Sequence, residues 1–213
     1  MSSTITVPYN GPLGKAPKLD ASFTLKLEAG KQQKATAKEV EVGYITAYII
    51  DKDLAQPGVR GAGGRLWVRE LLRNAQDPSE RAMIFRALYT RVGARRAGLT
   101  QFAEQLKGSK ICVVDTLLIK RAYRSGNGIG ALAIQSFHTL LPLLGGGRAF
   151  SGTVLLSPGM PLVTQKDYPG VELDVSEAKL ARFYGESGRY VVYRAPKSEK
   201  EKGEFRTVMG RTV

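Results

Sequence analysis

Between Tyr123 and Leu132 the chain reads YRSGNGIGAL, with Gly126, Gly128 and Gly130 at alternate positions directly ahead of an apolar run. A helix start leaves several backbone N–H groups without partners and carries the positive end of the helix dipole. Glycines remove Cβ atoms there, so a phosphate can come within hydrogen-bonding distance. The stretch reads as an anion cradle made by the N–H groups of Asn127, Gly128, Ile129, Gly130 and Ala131, with Arg124 and Ser125 alongside. It lacks the ending of a P-loop, so there is no lysine for a γ-phosphate and no hydroxyl for magnesium. Its spacing also fails the dinucleotide fingerprint, and it falls past the middle of the chain rather than after a first strand. A plain turn is the competing reading.

Other reactive side chains are few. Cys112, the only cysteine, lies in the apolar run ICVV and reads as a small buried hydrophobe; no intramolecular disulfide can form. His138, the only histidine, cannot build a zinc site with a single cysteine. It also sits in a helical pattern with no serine elbow nearby, which disfavours a Ser-His-Asp hydrolase. No metal is expected. Asp115 is the only acid within KICVVDTLLIK, and a carboxylate in an otherwise apolar strand is costly unless paired or functional. Simple alternation puts it on the face of Leu117 and Ile119. A salt bridge to an arginine and a role as a base both remain open for it, with Glu70 and Glu177 as weaker candidates.

The elements that must position these groups follow from periodicity. Residues 1–20 are rich in Pro, Gly and Ser and read as a loose leader. Ser22 to Ala29 alternates as a half-buried strand, and Val40 to Asp51, rich in β-branched and aromatic residues, reads as a more central one paired with it in a hairpin. Residues 52–108 read as a helical insert: LWVRELLRN, then a helix capped by Asp77, Pro78 and Glu80 and stopped near Gly98. Its apolar face holds Ile84, Phe85, Leu88, Tyr89 and Val92. Its other face carries Arg81, Arg91, Arg95 and Arg96, either a solvated surface or an anion-attracting wall. Lys110 to Lys120 is an interior strand, ALAIQSFHTLLPLL a helix and Ala149 to Pro158 a strand. Ser176 to Gly188 is a helix with a serine cap, RYVVYRA a strand, and FRTVM a last short one. This order predicts an α/β (α+β) domain over residues 21–213, a mixed central sheet flanked by helices.

Composition sets outer bounds. The 213 residues fit one domain, and 43% apolar content supports a real core. A net charge of +13 attracts anions: nucleic acid, anionic lipid, acidic protein or a phosphorylated cofactor. No apolar run reaches the about 18 residues of a transmembrane helix, and the N-terminus is not a secretory signal. The expectation is a soluble intracellular protein, cytoplasmic or nuclear, with no membrane partner.

Three segments together resemble the GNAT family of acyl-CoA N-acyltransferases. DTLLIKRAYRSGNGIGALAIQSF is similar to the family's strand, [RQ]-x-x-G-x-[GA] turn and helix that starts on the coenzyme A pyrophosphate. Arg124 stands one residue early and Ser125 takes the basic position. KLARFYGESGRY is similar to the late helix through Phe183, Tyr184 and Gly188, with Arg189 after the glycine, Tyr190 next, and Glu177 near the place of the usual asparagine. VGYITAYIIDK is similar to the early strand beside the cofactor strand. The resemblance covers Val40 to Asp51 and Lys110 to Ala195; residues 52–108 have no counterpart in a minimal member.

The resemblance implies a GNAT-like fold and N-acetyl transfer from acetyl-CoA to an amine by direct attack. Pantetheine would pair with the backbone of the cofactor strand at Leu117, Leu118 and Ile119, and the pyrophosphate would rest on residues 124–131, Gly126 among them. Tyr184 falls where many members place the acid that protonates the leaving thiolate, and Asp115 is the candidate base. The overall basic charge tilts the acceptor towards a neutral or acidic molecule. A non-catalytic protein binding nucleic acid or another anion is the main alternative, though no RNA-binding motif interleaves aromatics with Lys and Arg.

Overall fold

The computed structural model describes residues 2–6, 18–27, 38–51, 80–90, 92–124, 128–144, 149–159 and 172–213. The strands are β1 (Ser2–Thr6), β2 (Lys18–Leu27), β3 (Lys38–Asp51), β4 (Lys110–Ile119), β5 (Thr153–Leu156), β6 (Val191–Arg194) and β7 (Val208–Thr212). The helices are α1 (Glu80–Leu88), α2 (Ile129–Leu140), α3 (Leu173–Gly188) and α4 (Glu199–Glu204). One mixed seven-stranded sheet runs β1-β2-β3-β4-β5-β7-β6. Every neighbouring pair is antiparallel except β4 and β5, which run parallel because α2 carries the chain back between them. The chain is therefore an α+β protein with helices flanking a mixed sheet.

Both faces of the sheet are covered. Ile45, Ala47 and Ile49 of β3 and Cys112 and Val114 of β4 pack with Ile134 and Phe137 of α2 and Tyr184 of α3. On the other face Ile50, Ile111, Val113 and Leu155 pack with Ile84, Phe85 and Leu88 of α1 and with Phe205. Burial on both sides explains the unbroken apolar run ICVV. Cys112 is fully buried, and burial pushes its thiol well above the usual range.

Several elements depart from the sequence reading. Ser2–Thr6, expected within a loose leader, pairs antiparallel with residues 20–24 of β2; the β-branched Thr4, Ile5 and Thr6 suit a strand. Helix α1 ends at Leu88 rather than near Gly98. A tight turn follows, in which Thr90 N bonds Ala94 O at 2.7 Å and Gly93 takes φ 77°. Val92, expected in the core, is 69% exposed as a result. Two of the four arginines serve the fold rather than an anion-attracting wall. Arg96 Nε donates to Arg86 O and Tyr89 O at the end of α1, and the Arg81 guanidinium lies 3.9 Å from the Tyr48 ring centroid. Ser176 is not the cap of α3: the helix begins at Leu173 and Ser176 Oγ donates to Glu172 O. LWVRELLRN, Glu70, Asp77, Pro78 and Arg91 lie outside the described residues.

A buried polar network ties α2 and α3 to β7. Arg211 Nη1 donates to Gly188 O (2.7 Å) and contacts His138 Nδ1 (2.9 Å); His138 Nε2 meets Tyr190 Oη at 2.7 Å. Arginine only donates, so Nδ1 accepts and Nε2 carries the proton given to Tyr190. A nitrogen facing a guanidinium cannot act as a general base, which removes the hydrolase reading of His138. Burial, with the Arg211 charge second, lowers the His138 pKa to about 3. The unfolded chain then binds the extra proton between its ordinary value and about 3, so stability falls as pH drops through that window, by up to about 1.4 kcal/mol per pH unit. Urea midpoints at pH 7, 6 and 5 should decline in the parent protein, and His138→Gln, which keeps an acceptor and a donor, should flatten the decline. Equal slopes would contradict the assignment.

Candidate functional site

The site begins with a mismatch between β3 and β4. Thr46 pairs with Thr116 but Ala47 pairs with Val114, which leaves Asp115 as an extra residue in β4. Such a bulge bends its strand and resets the alternation. Before it, Cys112 and Val114 face α2 and α3; after it, Leu117 and Ile119 do. The simple alternation that grouped Asp115 with Leu117 and Ile119 is therefore broken at Asp115 itself.

The parallel pairing is short. Ile111, Cys112 and Val113 match Thr153, Val154 and Leu155, and the β4–β5 ladder stops there. Beyond it, no strand pairs with residues 116–119 on the β5 side among the described residues. Leu117, Leu118 and Ile119 are half-buried along this open edge. A strand edge with free N–H and C=O groups inside a sheet is a template for an extended ligand with amide groups of its own.

The open edge leads to the start of α2. A turn, Arg121–Tyr123, follows the strand, and Arg124 Nε donates back to Ile119 O at the strand end. Gly128 is the N-cap, with φ 64° and no capping side chain. The first regular helical bond runs from Leu132 N to Gly128 O, so the N–H groups of Ile129, Gly130 and Ala131 precede it. The two described glycines have different reasons. Gly128 needs its left-handed conformation, and a Cβ on it would meet open space. A Cβ on Gly130 would lie 3.2 Å from Phe183 Cζ, so this glycine lets α2 and α3 approach. Ser125, Gly126 and Asn127 lie outside the described residues.

Where β4 and β5 part they leave a crevice, beside which several side chains act electrostatically on Glu80. Ser157 follows the end of β5, and Glu80 opens α1. Glu80 Oε1 and Arg206 both border Gly159, at 3.6 Å and 3.5 Å from where a Cβ would sit. Burial raises the Glu80 pKa above the ordinary carboxylate value, with the charges of Asp115 and Glu177 adding to it and Ser157 and Arg206 opposing it. Ser157 lies close enough to influence Glu80. Yet Glu80 Oε1 and Ser157 Oγ are shut from solvent without completing a hydrogen bond of proper geometry. Glu177 is partly engaged, its Oε1 accepting from Thr207 N at 3.0 Å. Among the described residues no group of three or more His, Cys, Asp or Glu side chains is placed to hold a metal ion.

Tyr184, on α3, feels the Glu80 charge from the other side of the sheet. It is 7% exposed, with its ring edge-on to Phe183 and to Tyr190. Burial, with the Glu80 charge second, pushes its phenol above the usual tyrosine range. Its hydroxyl makes no hydrogen bond among the described residues, whereas Tyr190 Oη is held by His138. Buried tyrosines ordinarily find a partner, so Tyr184 presents an open donor within the field of the Glu80 carboxylate. Asp115 and Tyr184 are thus each linked electrostatically to Glu80, which, like Ser157 and Arg206, the sequence reading had not assigned to a site. Glu80 was legible there only as a helix cap.

No protein-family model and no curated protein matches this chain. No helix among the described residues is long and apolar enough to cross a membrane.

The two tyrosines should respond differently to loss of a hydroxyl. Tyr184→Phe breaks no hydrogen bond and should shift stability by less than about 0.5 kcal/mol. Tyr190→Phe strands the buried His138 Nε2–H and should cost about 1–3 kcal/mol. Urea unfolding of both variants checks this; equal losses would show that the Tyr184 hydroxyl has a structural partner.

Proposed function

We propose that the chain is a GNAT-type N-acyltransferase that moves an acetyl group from acetyl-CoA to an amine. The observation that carries the reading is the open edge of β4 at residues 116–119, which runs into the uncapped start of α2. These residues fit coenzyme A in kind: an extended amide chain pairs with a strand edge, and a pyrophosphate accepts from helix N-terminal amides. Ile129, Gly130 and Ala131 would hold the pyrophosphate, and Leu117, Leu118 and Ile119 the pantetheine. Arg124 serves the strand end first, through Ile119 O. When bound, the co-substrate supplies a thioester carbonyl open to attack and a sulfur that leaves as a thiolate.

The chain's own groups manage two protons. Glu80, with its raised pKa and its unsatisfied oxygen, takes one from the amine; a carboxylate shifted towards neutrality is a better base than an exposed one. Asp115, first among the acids in the sequence reading, acts through its charge on Glu80. Tyr184 keeps its proton at working pH and gives it to the leaving sulfur, so its placement matters more than its acidity. Glu80, Asp115 and Glu177 against Arg206 make the crevice locally acidic, which favours a cationic acceptor over the neutral or acidic one that overall charge suggests.

Release of free coenzyme A with a panel of primary amines tests the proposal. Glu80→Gln and Tyr184→Phe should each lower kcat by roughly 100-fold or more while acetyl-CoA binding is kept. Absence of amine-dependent release in the parent protein, with salt-sensitive binding to nucleic acid instead, would favour the non-catalytic alternative.

A further inference from the structure

A second feature lies apart from the crevice and shares none of its residues. The turn Thr100–Phe102 and the strands β6 and β7 border an open cleft of about 310 Å³, lined by Phe102, Gln105, Arg189, Tyr193, Arg211 and Thr212 among others. None of the described residues lining it is acidic. Two arginines, Arg189 and Arg211, are among its lining residues. Arg211 is fixed from behind, since Gly188 O and His138 Nδ1 both engage Nη1. Its Nε and Nη2 edge has no partner among the described residues, and this edge of a guanidinium takes a carboxylate or phosphate in two parallel hydrogen bonds.

Arg189 is the second. It is exposed, its side chain has no partner among the described residues, and it is the only described non-glycine residue with positive φ (55°). It stands just past the end of α3, where glycine is the usual residue because a Cβ makes this conformation costly. Its charge suits the helix end, but that accounts for one arginine and not for two lining one cleft with no carboxylate among its described residues. The floor is rigid: Phe102 and Tyr193 stack at 3.9 Å between centroids and 13° between planes.

We propose that this cleft is a binding site for a small oxyanion, a phosphate- or carboxylate-bearing molecule gripped by Arg211 and Arg189. It rests on nothing in the acyltransfer reading.

His138 is the only histidine in the chain and touches Arg211, so its ring resonances report on the cleft directly. Inorganic phosphate and citrate would be titrated separately, with sodium chloride at matched ionic strength as control. The expected result is a saturable shift of the His138 signals with phosphate or citrate and none with chloride; the tighter of the two names the ligand chemistry. Arg189→Gly should weaken that binding roughly tenfold. The same change should raise the thermal midpoint, because glycine relaxes the backbone. Opposite effects on binding and stability separate the site from a general loss of fold. A non-saturating shift, an equal shift with chloride, or unchanged affinity in Arg189→Gly would overturn the proposal.

Discussion

The arrangement depends on one extra residue in β4. Asp115 has no counterpart in β3, and the ladder to β5 ends just before it, at Val113. An interior strand normally spends its hydrogen-bonding groups on two neighbours. Here the last part of β4 keeps β3 on one side and has no strand partner on the other among the described residues. The bulge thereby opens a sheet that is otherwise covered on both faces. Glu80 comes from the α1 side of the sheet and Tyr184 from the α3 side, and the Glu80 charge is felt at the Tyr184 phenol.

Burial gives the crevice its chemical character. Lys and Arg outnumber Asp and Glu by 32 to 19, yet three carboxylates gather around the parting of β4 and β5 with Arg206 as the described counter-charge. Desolvating a carboxylate costs several kcal/mol unless it is paired, and Glu80 is incompletely paired. That cost is carried by the packing of α1, whose Ile84, Phe85 and Leu88 are fully buried one and two turns beyond Glu80. The overall basic charge and the local cluster of carboxylates are thus opposite in sign.

Local pattern made much of the sheet legible. Alternation located β2 and β3, the apolar run marked β4 as interior, and the glycine turn placed the start of α2. What escaped was whatever depends on residues far apart in sequence. Glu80 looked like half of a capping box because the sequence cannot show that Ser157, Gly159 and Arg206 close over it. That Gly130 also makes room for Phe183 was hidden because Phe183 comes much later in the chain. The bulge at Asp115 is a mismatch between two strands and has no signature in either. Helix α1 was overextended because Tyr89 and Val92 continue its period, while the turn at Gly93 overrides it.

The most direct measurement is amide hydrogen exchange on the full chain with and without acetyl-CoA. The account predicts added protection in two stretches, residues 116–119 at the end of β4 and 129–131 at the start of α2, with little change in β1–β2. Absence of protection in both, at acetyl-CoA concentrations that saturate any binding seen by calorimetry, would contradict the claim that the open edge of β4 receives the co-substrate.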